Sequence, residues 1–598
     1  MAGGSNGQHR ERSGEASAGG EAPSRDRKRS ARGRIAPIEF PPPGDPAAEF
    51  IGAPTDPEDE RIEVGVAIVG GGQAGMACAI RLLQLLEDDP ELAESLGEVP
   101  VAVIEKGRVA GAHQLSGGVM NPGPIRQLLP DDDSWPQYGE VGKETVYFVI
   151  NRKRAIPLKP TPPPFRNHGN FVVSVAELNR WLGERAEEAG AYVLSETVGA
   201  KLLVEDGLVV GVRTGDKGRD KQGGEKSNFE PGSDVIAKAT VLAEGCWGHL
   251  TGAALKGLEL AAKDPQVWAL GVKEVWEVPQ PLDRVIHTLG WPLRPQGKYK
   301  EFGGSWIYPM NREGETPRVS LGFVVGLDYA DARLSVHDVL QEFKLHPLVR
   351  RILDGGKRVA WGAKAIPEGG YWAMPRLHAP GMVICGDGGG MVNVPKLKGI
   401  HYAIRSGMLA AETIYAKLKA GSTDFSAYET AVHDSEIGKE MYESRNMKQP
   451  FARGLIVGGA ITNAMVVTKG RLPGGHWATH RDADQPLMLT KRHERYPKPD
   501  GKYTFDKLSG VFTTGNATRD DAPSHIRIQQ RVPRELAEAW AWMCPAGVYE
   551  VPEDAPAGGE HVDLIVNPSN CVQCGAITAK GGRLTPPEGG DGPVYQVT

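Results

Sequence analysis

Three cysteines near the C-terminus stand at spacings that suit metal chemistry. Cys544 is followed by Pro545, and Cys571 and Cys574 form a C-x2-C pair. A C-x2-C turn lets two thiolates face one metal centre, and a Cys-Pro step beside such a pair is ferredoxin-like. Soft thiolates match the iron of iron–sulfur clusters. The next step of a C-x2-C-x2-C run falls on Ile577, which has no ligating atom. Four readings stay open: a four-iron cubane with a non-cysteine fourth ligand, a three-iron cluster, a zinc completed by a histidine such as His561, or no metal. Cys78, Cys246 and Cys385 fall in strand-like or helix-like stretches elsewhere and read as buried small apolar residues.

A second pattern handles phosphate. The apolar run VGVAIVG at 64–70 suits a buried parallel strand. It leads into Gly70, Gly72 and Gly75 as G-x-G-x-x-G, and then into a helical stretch. The first glycine permits the tight turn, the second admits a pyrophosphate, and the third lets helix pack on strand. The helix N-terminus adds free amides and a positive dipole. Alone this motif is weak; here a second strand follows and ends at Glu105, whose carboxylate suits a ribose hydroxyl. The gap before Glu105 is longer than usual because EDDPELAESLGE extends the helix and its loop.

The elements around these motifs favour FAD over a nicotinamide. After Glu105 the chain leaves for a long mixed region, returns with ATVLAEG at 239–245, and returns again with GMVICGDGGG, where Gly386 allows close approach and Asp387 can bind the ribityl or pyrophosphate side. A loop and a helix near 399–418 follow, with the helix N-terminus placed to face a flavin ring. Between the returns, 171–213 reads as helix then strands, and 267–330 is β-rich, as for an antiparallel sheet in an inserted substrate domain. Helices at 336–354 and 399–418 are expected to pack against that sheet. The fold class is thus α/β and α+β: a Rossmann-like FAD domain, an inserted β-rich quinone or substrate domain, and a C-terminal ferredoxin-like cluster domain.

The boundaries expected are 1–60, a disordered tail; 61–165, the first part of the FAD domain; 166–235, a connection; 236–260, an FAD return; 261–375, the substrate domain; 376–425, the last FAD part; 426–500, a membrane-associating segment and linker; and 501–598, the cluster domain. The chain has 598 residues and a formal net charge of −6, which leaves no global basic footprint for nucleic acid. Clustered cysteines argue against a secreted disulfide framework. No apolar run reaches the roughly 18–20 residues that span a bilayer. The longest, Gly454 to Thr468, is long enough to dip into one leaflet. Basic residues Arg25, Arg27, Lys28, Arg29, Arg32 and Arg34 are interrupted by acids, unlike a transit peptide.

Taken in order, GAHQLSGGVMNPG, AEGCWGHL, GWPLRP, GGSWIYP, GFVVGLDY, DGGKRVAWGAKAIPEGG, NVPKLKGIH, YPKPDGK, CPAGVYE and PEGGDGP resemble the electron-transfer flavoprotein:ubiquinone oxidoreductase family from about residue 62 to the end. The resemblance implies a monotopic membrane oxidoreductase with FAD, a 4Fe-4S cluster and a quinone pocket. Its partners would be reduced electron-transfer flavoprotein, a quinone and the membrane surface. It carries FAD contacts to Val66–Ile80, Glu105 and Asp387, a quinone contact to Gly303 and Gly304, and cluster ligands to Cys544, Cys571 and Cys574, but not to Ile577. It puts membrane-dipping segments near 111–130 and 452–470. No catalytic nucleophile or acid–base dyad is expected, because the carriers do the chemistry. Without a convincing transit peptide, the expected location is the cytoplasmic face of a bacterial membrane. Two rivals are a geranylgeranyl reductase-type enzyme acting on an apolar substrate and a membrane-docking subunit with a vestigial cofactor domain.

Overall fold

The computed structural model describes residues 34–555 and 561–598. The first strand, β1 (Ile62–Val69), is buried from Val64 onward. It turns at Gly70 into α1 (Gln73–Glu87). β1 pairs in parallel with β2 (Val101–Ile104) on one side and with β3 (Asp234–Leu242) on the other. β3 carries two further partners. Its first residues pair antiparallel with Leu208–Thr214, and its last pair in parallel with Met382–Ile384. The three returns read from the sequence therefore lie side by side in one sheet, with their C-terminal ends at the same edge. That edge is where open α/β sheets bind ligands.

Helix α2 (Ile400–Lys419) packs on α1 and not on the antiparallel sheet, which corrects the expectation for 399–418. The approach is close: a Cβ at Gly407 would lie 2.1 Å from the Ala74 carbonyl oxygen. A small residue is required wherever two backbones come this near. The helices Val336–Lys344 and Pro347–Leu353 do lie with the antiparallel sheet, as expected.

That sheet has seven strands. At its centre run β4 (Trp268–Glu277), β5 (Gly303–Met310), β6 (Arg318–Gly326) and β7 (Lys357–Pro367), in the spatial order β7-β4-β6-β5. Val285–Gly290, Glu144–Asn151 and Arg154–Pro157 extend it beyond β5. The sheet shares one core with the C-terminal region: Trp276, Phe323 and Trp361 pack with Leu536, Trp540, Cys544 and Cys571. Leu536 and Trp540 belong to α4 (Arg534–Met543). Residues 35–598 thus form one compact unit, although the sequence suggests separate segments.

Part of the stretch expected as a structureless tail, 1–60, is ordered: residues 34–60 are described with defined structure. Pro46–Phe50 is a helical turn capped by the Asp45 carboxylate, and Ile51–Gly52 adds a parallel edge to the first sheet beside Leu202 and Leu203. Phe50 is buried with its ring edge-on to His249, at 5.0 Å between centroids. Two apolar side chains outweighed the polar composition that made this stretch read as tail. Most of the basic cluster, from Arg25 to Arg32, lies outside the described residues.

The segment 111–130 is likewise not a membrane dip. Val119–Met120 pairs with Phe171–Val172, and Ile125 and Leu128 of the helix Gly123–Leu128 are buried. Helix α3 (Leu455–Val467) is different. Among its residues only Gly458 and Met465 are buried, while Ile456 and Val467 are 79% and 82% exposed. Arg453 before it and Lys469 and Arg471 after it are exposed as well.

Candidate functional site

At the C-terminal edge of the first sheet the glycine loop forms a cradle that side chains would fill. Gly70 has φ +104°, and a Cβ there would lie 2.4 Å from the Ala243 carbonyl oxygen. A Cβ at Gly75 would lie 2.0 Å from the Gly70 carbonyl oxygen. Gly72 caps α1 with no side chain of its own, leaving the first amides of the helix open. Glu105 stands at the end of β2 as expected and fixes the loop: its carboxylate accepts from the Gly71 amide at 2.9 Å and the Gly107 amide at 2.6 Å.

Two cavities extend from this cradle. The first, about 860 Å³, is lined by Gly70, Glu105, Lys106, Trp247 and Gln573. The second, about 1350 Å³, is lined by Gly72, Gly386, Asp387, Trp306, Tyr308 and Lys398, and by the first turn of α2. His113, Glu244, Cys246 and Lys364 line both, so the two are lobes of one elongated site. His113 Nδ1 and Trp247 Nε1 are buried there with no hydrogen-bond partner among the described residues. Buried polar atoms are normally satisfied, and such orphans suit a polar ligand. The glycine cradle, the two open helix N-termini and these orphan atoms fit FAD.

The electrostatics fit an anionic ligand too. Burial drops Lys106 to about 8, helped by the Lys364 charge and opposed by Glu105 and Glu244. Burial drops Lys398 to about 7, with Glu144 opposing. A nearby anion favours the charged form of each. Burial pushes the Asp387 carboxyl up to about 6, with the Lys364 charge opposing.

Sequence reasoning missed Lys106, His113, Lys364 and Lys398. Lys364 had a signal: it is a lone cation in the apolar run of β7. Cys246 also needs correction, because it is half-buried and lines both lobes instead of filling a core. Cys78 and Cys385 are buried as expected, and Cys385 also borders the second lobe.

Gly303 and Gly304 begin β5 in unbroken register with β6, so they are neither bulge nor turn. They do not line the two lobes. A Cβ at Gly303 would lie 2.0 Å from the Val324 carbonyl oxygen, and one at Gly304 would lie 2.5 Å from that of Thr288. Val324, which pairs with Gly304, does line the second lobe. Phe302, just before the glycines, lines another cavity of about 1060 Å³ together with Phe451 and Lys448. Its ring stands 4.7 Å from that of Phe451, in the turn that precedes α3. Glu368, on the wall of the second lobe, pairs with Lys448 at 3.1 Å, and burial pushes its carboxyl up.

The cysteines form a separate small chamber, lined by Cys544, Cys571 and Cys574 and by Met543, Val548, Tyr549 and Ile577 among others. Cys544 ends α4. Gln573 and Gly575 take left-handed backbone on either side of Cys574, at φ 51° and 83°. The Val548 amide donates to Cys544 Sγ and the Gln573 amide to Cys571 Sγ, each at 3.4 Å. Burial pushes the Cys571 thiol up to about 12 and that of Cys574 higher still. Thiols in so dry a chamber become thiolates when a metal takes the proton's place. The chamber does not fit a cubane held by four thiolates, because Ile577 occupies the place of the fourth. His561 is exposed and does not line the chamber.

Chamber and cradle are joined by backbone. The Ala365 amide donates to the Cys574 carbonyl at 2.8 Å, and Lys364 Nζ donates to the Gln573 carbonyl at 3.3 Å. Both Lys364 and Ala365 line the second lobe.

Two family models match this chain. The one described as "ETF-QO, ubiquinone-binding" matches residues 268–366, and the one described as "Electron transfer flavoprotein-ubiquinone oxidoreductase, 4Fe-4S" matches 501–596. The mitochondrial electron transfer flavoprotein-ubiquinone oxidoreductase of Caenorhabditis elegans is 37% identical over 558 residues, covering 89% of this chain and 91% of that protein. The Homo sapiens protein of the same name is 37% identical over 569 residues, covering 89% of each. Among solved structures, a geranylgeranyl bacteriochlorophyll reductase-like protein from Thermoplasma acidophilum aligns with a TM-score of 0.51 at 18% identity, over 68% of this chain and 92% of that one. That likeness shows a shared fold.

Proposed function

The chain belongs to the electron transfer flavoprotein-ubiquinone oxidoreductase family, and from that premise we propose how its own residues carry the reaction. The protein is an oxidoreductase that takes electrons from reduced electron transfer flavoprotein and delivers them by way of FAD to ubiquinone. Bound FAD supplies the chemistry of accepting electrons singly and releasing them in pairs.

The chain's residues bind, orient and protonate. Gly70, Gly72 and Gly75 admit the pyrophosphate to the N-terminus of α1. Glu105 holds the loop and faces a ribose. Gly386, Asp387 and the first turn of α2 would hold the flavin end of the cofactor in the second lobe. Lys106, Lys364 and Lys398 balance its charge. The wall of Trp306, Tyr308 and Val324 would hold the quinone head, with Gly303 and Gly304 at the start of the strand that carries Trp306 and Tyr308. Glu368, whose carboxyl burial pushes up against the opposing Lys448 charge, is placed to hold a proton for the quinone oxygen.

The observation that carries this reading is the position of the second lobe. It lies between the nucleotide cradle and the sheet matched as ubiquinone-binding, and the neighbouring cavity at Phe302 and Phe451 adjoins the apolar helix α3. No helix among the described residues is long and apolar enough to cross a membrane. The exposed face of α3, flanked by cations, suits insertion into one leaflet. We place the protein as a monotopic enzyme on the cytoplasmic face of a bacterial membrane.

The test uses holoenzyme on vesicles containing ubiquinone. Reduced electron transfer flavoprotein should bleach the bound flavin, and the quinone should restore its colour. Glu368→Gln should slow the restoration and leave the bleaching intact. Bleaching by an isoprenoid substrate, with no response to the flavoprotein, would sink this reading and favour the reductase alternative.

A further inference from the structure

The cysteine chamber disagrees with the four-iron cluster for which its family model is described. A cubane has four irons, and each needs a terminal ligand in addition to its three sulfides. Three cysteine thiols line the chamber. The other lining side chains are apolar except Tyr549, whose phenol is a hard oxygen donor, whereas these clusters favour soft thiolates. Cys246 is not among them.

Ile577 is 4% exposed and lines the chamber where the ladder of ligands would end. It is held there. Its carbonyl accepts from the Lys580 and Gly582 amides, each at 3.0 Å. A Cβ at Gly582 would lie 2.5 Å from Ile577 Cγ1, so that flank is packed tight. The side chain cannot ligate, and it fills the corner with hydrocarbon.

The spacing of the thiols also matters. Ligands of a single metal ion converge on one point at about 2.3 Å. Among the described residues no group of three His, Cys, Asp or Glu side chains is close enough to hold one ion. Three cysteines that share one chamber suit a polynuclear cluster, with one thiolate on each iron.

We propose that Cys544, Cys571 and Cys574 hold a three-iron, four-sulfide cluster whose vacant corner faces Ile577. The cluster has one terminal site per iron and no fourth iron to serve, so three thiolates complete it. The Val548 and Gln573 amides donate to two of the ligand sulfurs, in the way that tunes such centres. The proposal rests on the family reading of the C-terminal region.

The test uses anaerobically purified full-length protein with its flavin, incubated with ferrous ion and a dithiol to fill any labile iron site. The expected result is about three irons per flavin, with an electron paramagnetic resonance signal in the oxidised protein that vanishes on addition of dithionite. Ile577→Cys should raise the ratio to about four and move the signal to the reduced protein. Uptake of a fourth iron by the wild-type protein, with a signal only after reduction, would overturn the proposal. So would full flavin without iron, or an Ile577→Cys variant whose iron count and signal match the wild type. Flavin bleaching by electron transfer flavoprotein, measured on the same samples, separates failure of this proposal from failure of the functional reading.

Discussion

In the nucleotide cradle the surface that meets a ligand is mostly backbone, whereas in the cysteine chamber it is side chain. The cradle is defined by what cannot be added: Gly70 and Gly75 sit where a Cβ would overlap a carbonyl. The chamber is defined by what must be present, namely three sulfurs at fixed places. A backbone-built site tolerates change around it and fails when an atom is added. A side-chain-built site can change its chemistry with one residue while its walls stand. Ile577 is such a residue.

The largest effect that would break this comparison lies at Gly75. Gly75→Val places side-chain atoms on the Gly70 carbonyl, so flavin occupancy should fall about tenfold or more, which is at least ~1.4 kcal/mol of binding. Iron per protein should stay near wild type. The flavin-to-protein absorbance ratio beside an iron assay checks both; joint loss would mean the two sites are not independent.

An intermediate effect is expected where the regions touch. Gly575 has φ +83°, and a Cβ there would lie 2.1 Å from Trp247 Cδ1. Trp247 lines the first lobe and stacks on Trp268 at 3.7 Å between centroids. Gly575→Ala should therefore lower iron and flavin together, at a cost of about 1–3 kcal/mol for the strained backbone. A variant that loses iron alone would show that Trp247 yields without disturbing the cradle.

The smallest effect concerns pH. Asp387 has a folded pKa of about 6, above its ordinary 3.8, so the folded flavin-free protein holds this proton more tightly than the unfolded chain. Its contribution to stability is complete below 3.8 and is lost as pH rises through about 6. Asp387→Asn should flatten the urea midpoint of flavin-free protein across that window. Equal slopes for variant and wild type would remove Asp387 from the account.

The same contrast explains what could be read in advance. Gly70, Gly72, Gly75 and Glu105 were legible because local backbone geometry forces those residue types in a short stretch. The three strand returns were legible as apolar runs, and their parallel pairing followed from the fold they imply. His113 was not, and the cation at Lys364 stood out without showing its place, since nothing local tells that β7 and the 111–119 stretch meet at the cradle. The membrane-dipping expectation for 111–130 came from the family resemblance, and a resemblance does not say whether protein or lipid covers a segment in this chain. For α3 the structure shows two large apolar side chains, Ile456 and Val467, left mostly uncovered by protein. The helix at 399–418 was found but assigned the wrong neighbour, since its apolar face fits α1 as well as a sheet.

The core shared by β4, β6 and β7 with α4 also has a consequence in time. Its two halves are separated by the whole stretch between Pro367 and Arg534, and the clasp that closes it is longer still. Ser174 Oγ donates to the Thr598 carbonyl oxygen across 424 positions, and the Ala363 amide donates to the Tyr595 hydroxyl across 232. Contacts this distant must close very long loops before they contribute stability, which makes folding slow. While the chain is synthesised, β7 and its neighbours wait without the C-terminal cover of Trp276 and Trp361 until the cysteine region follows. Apolar surface left uncovered in this way is prone to aggregation.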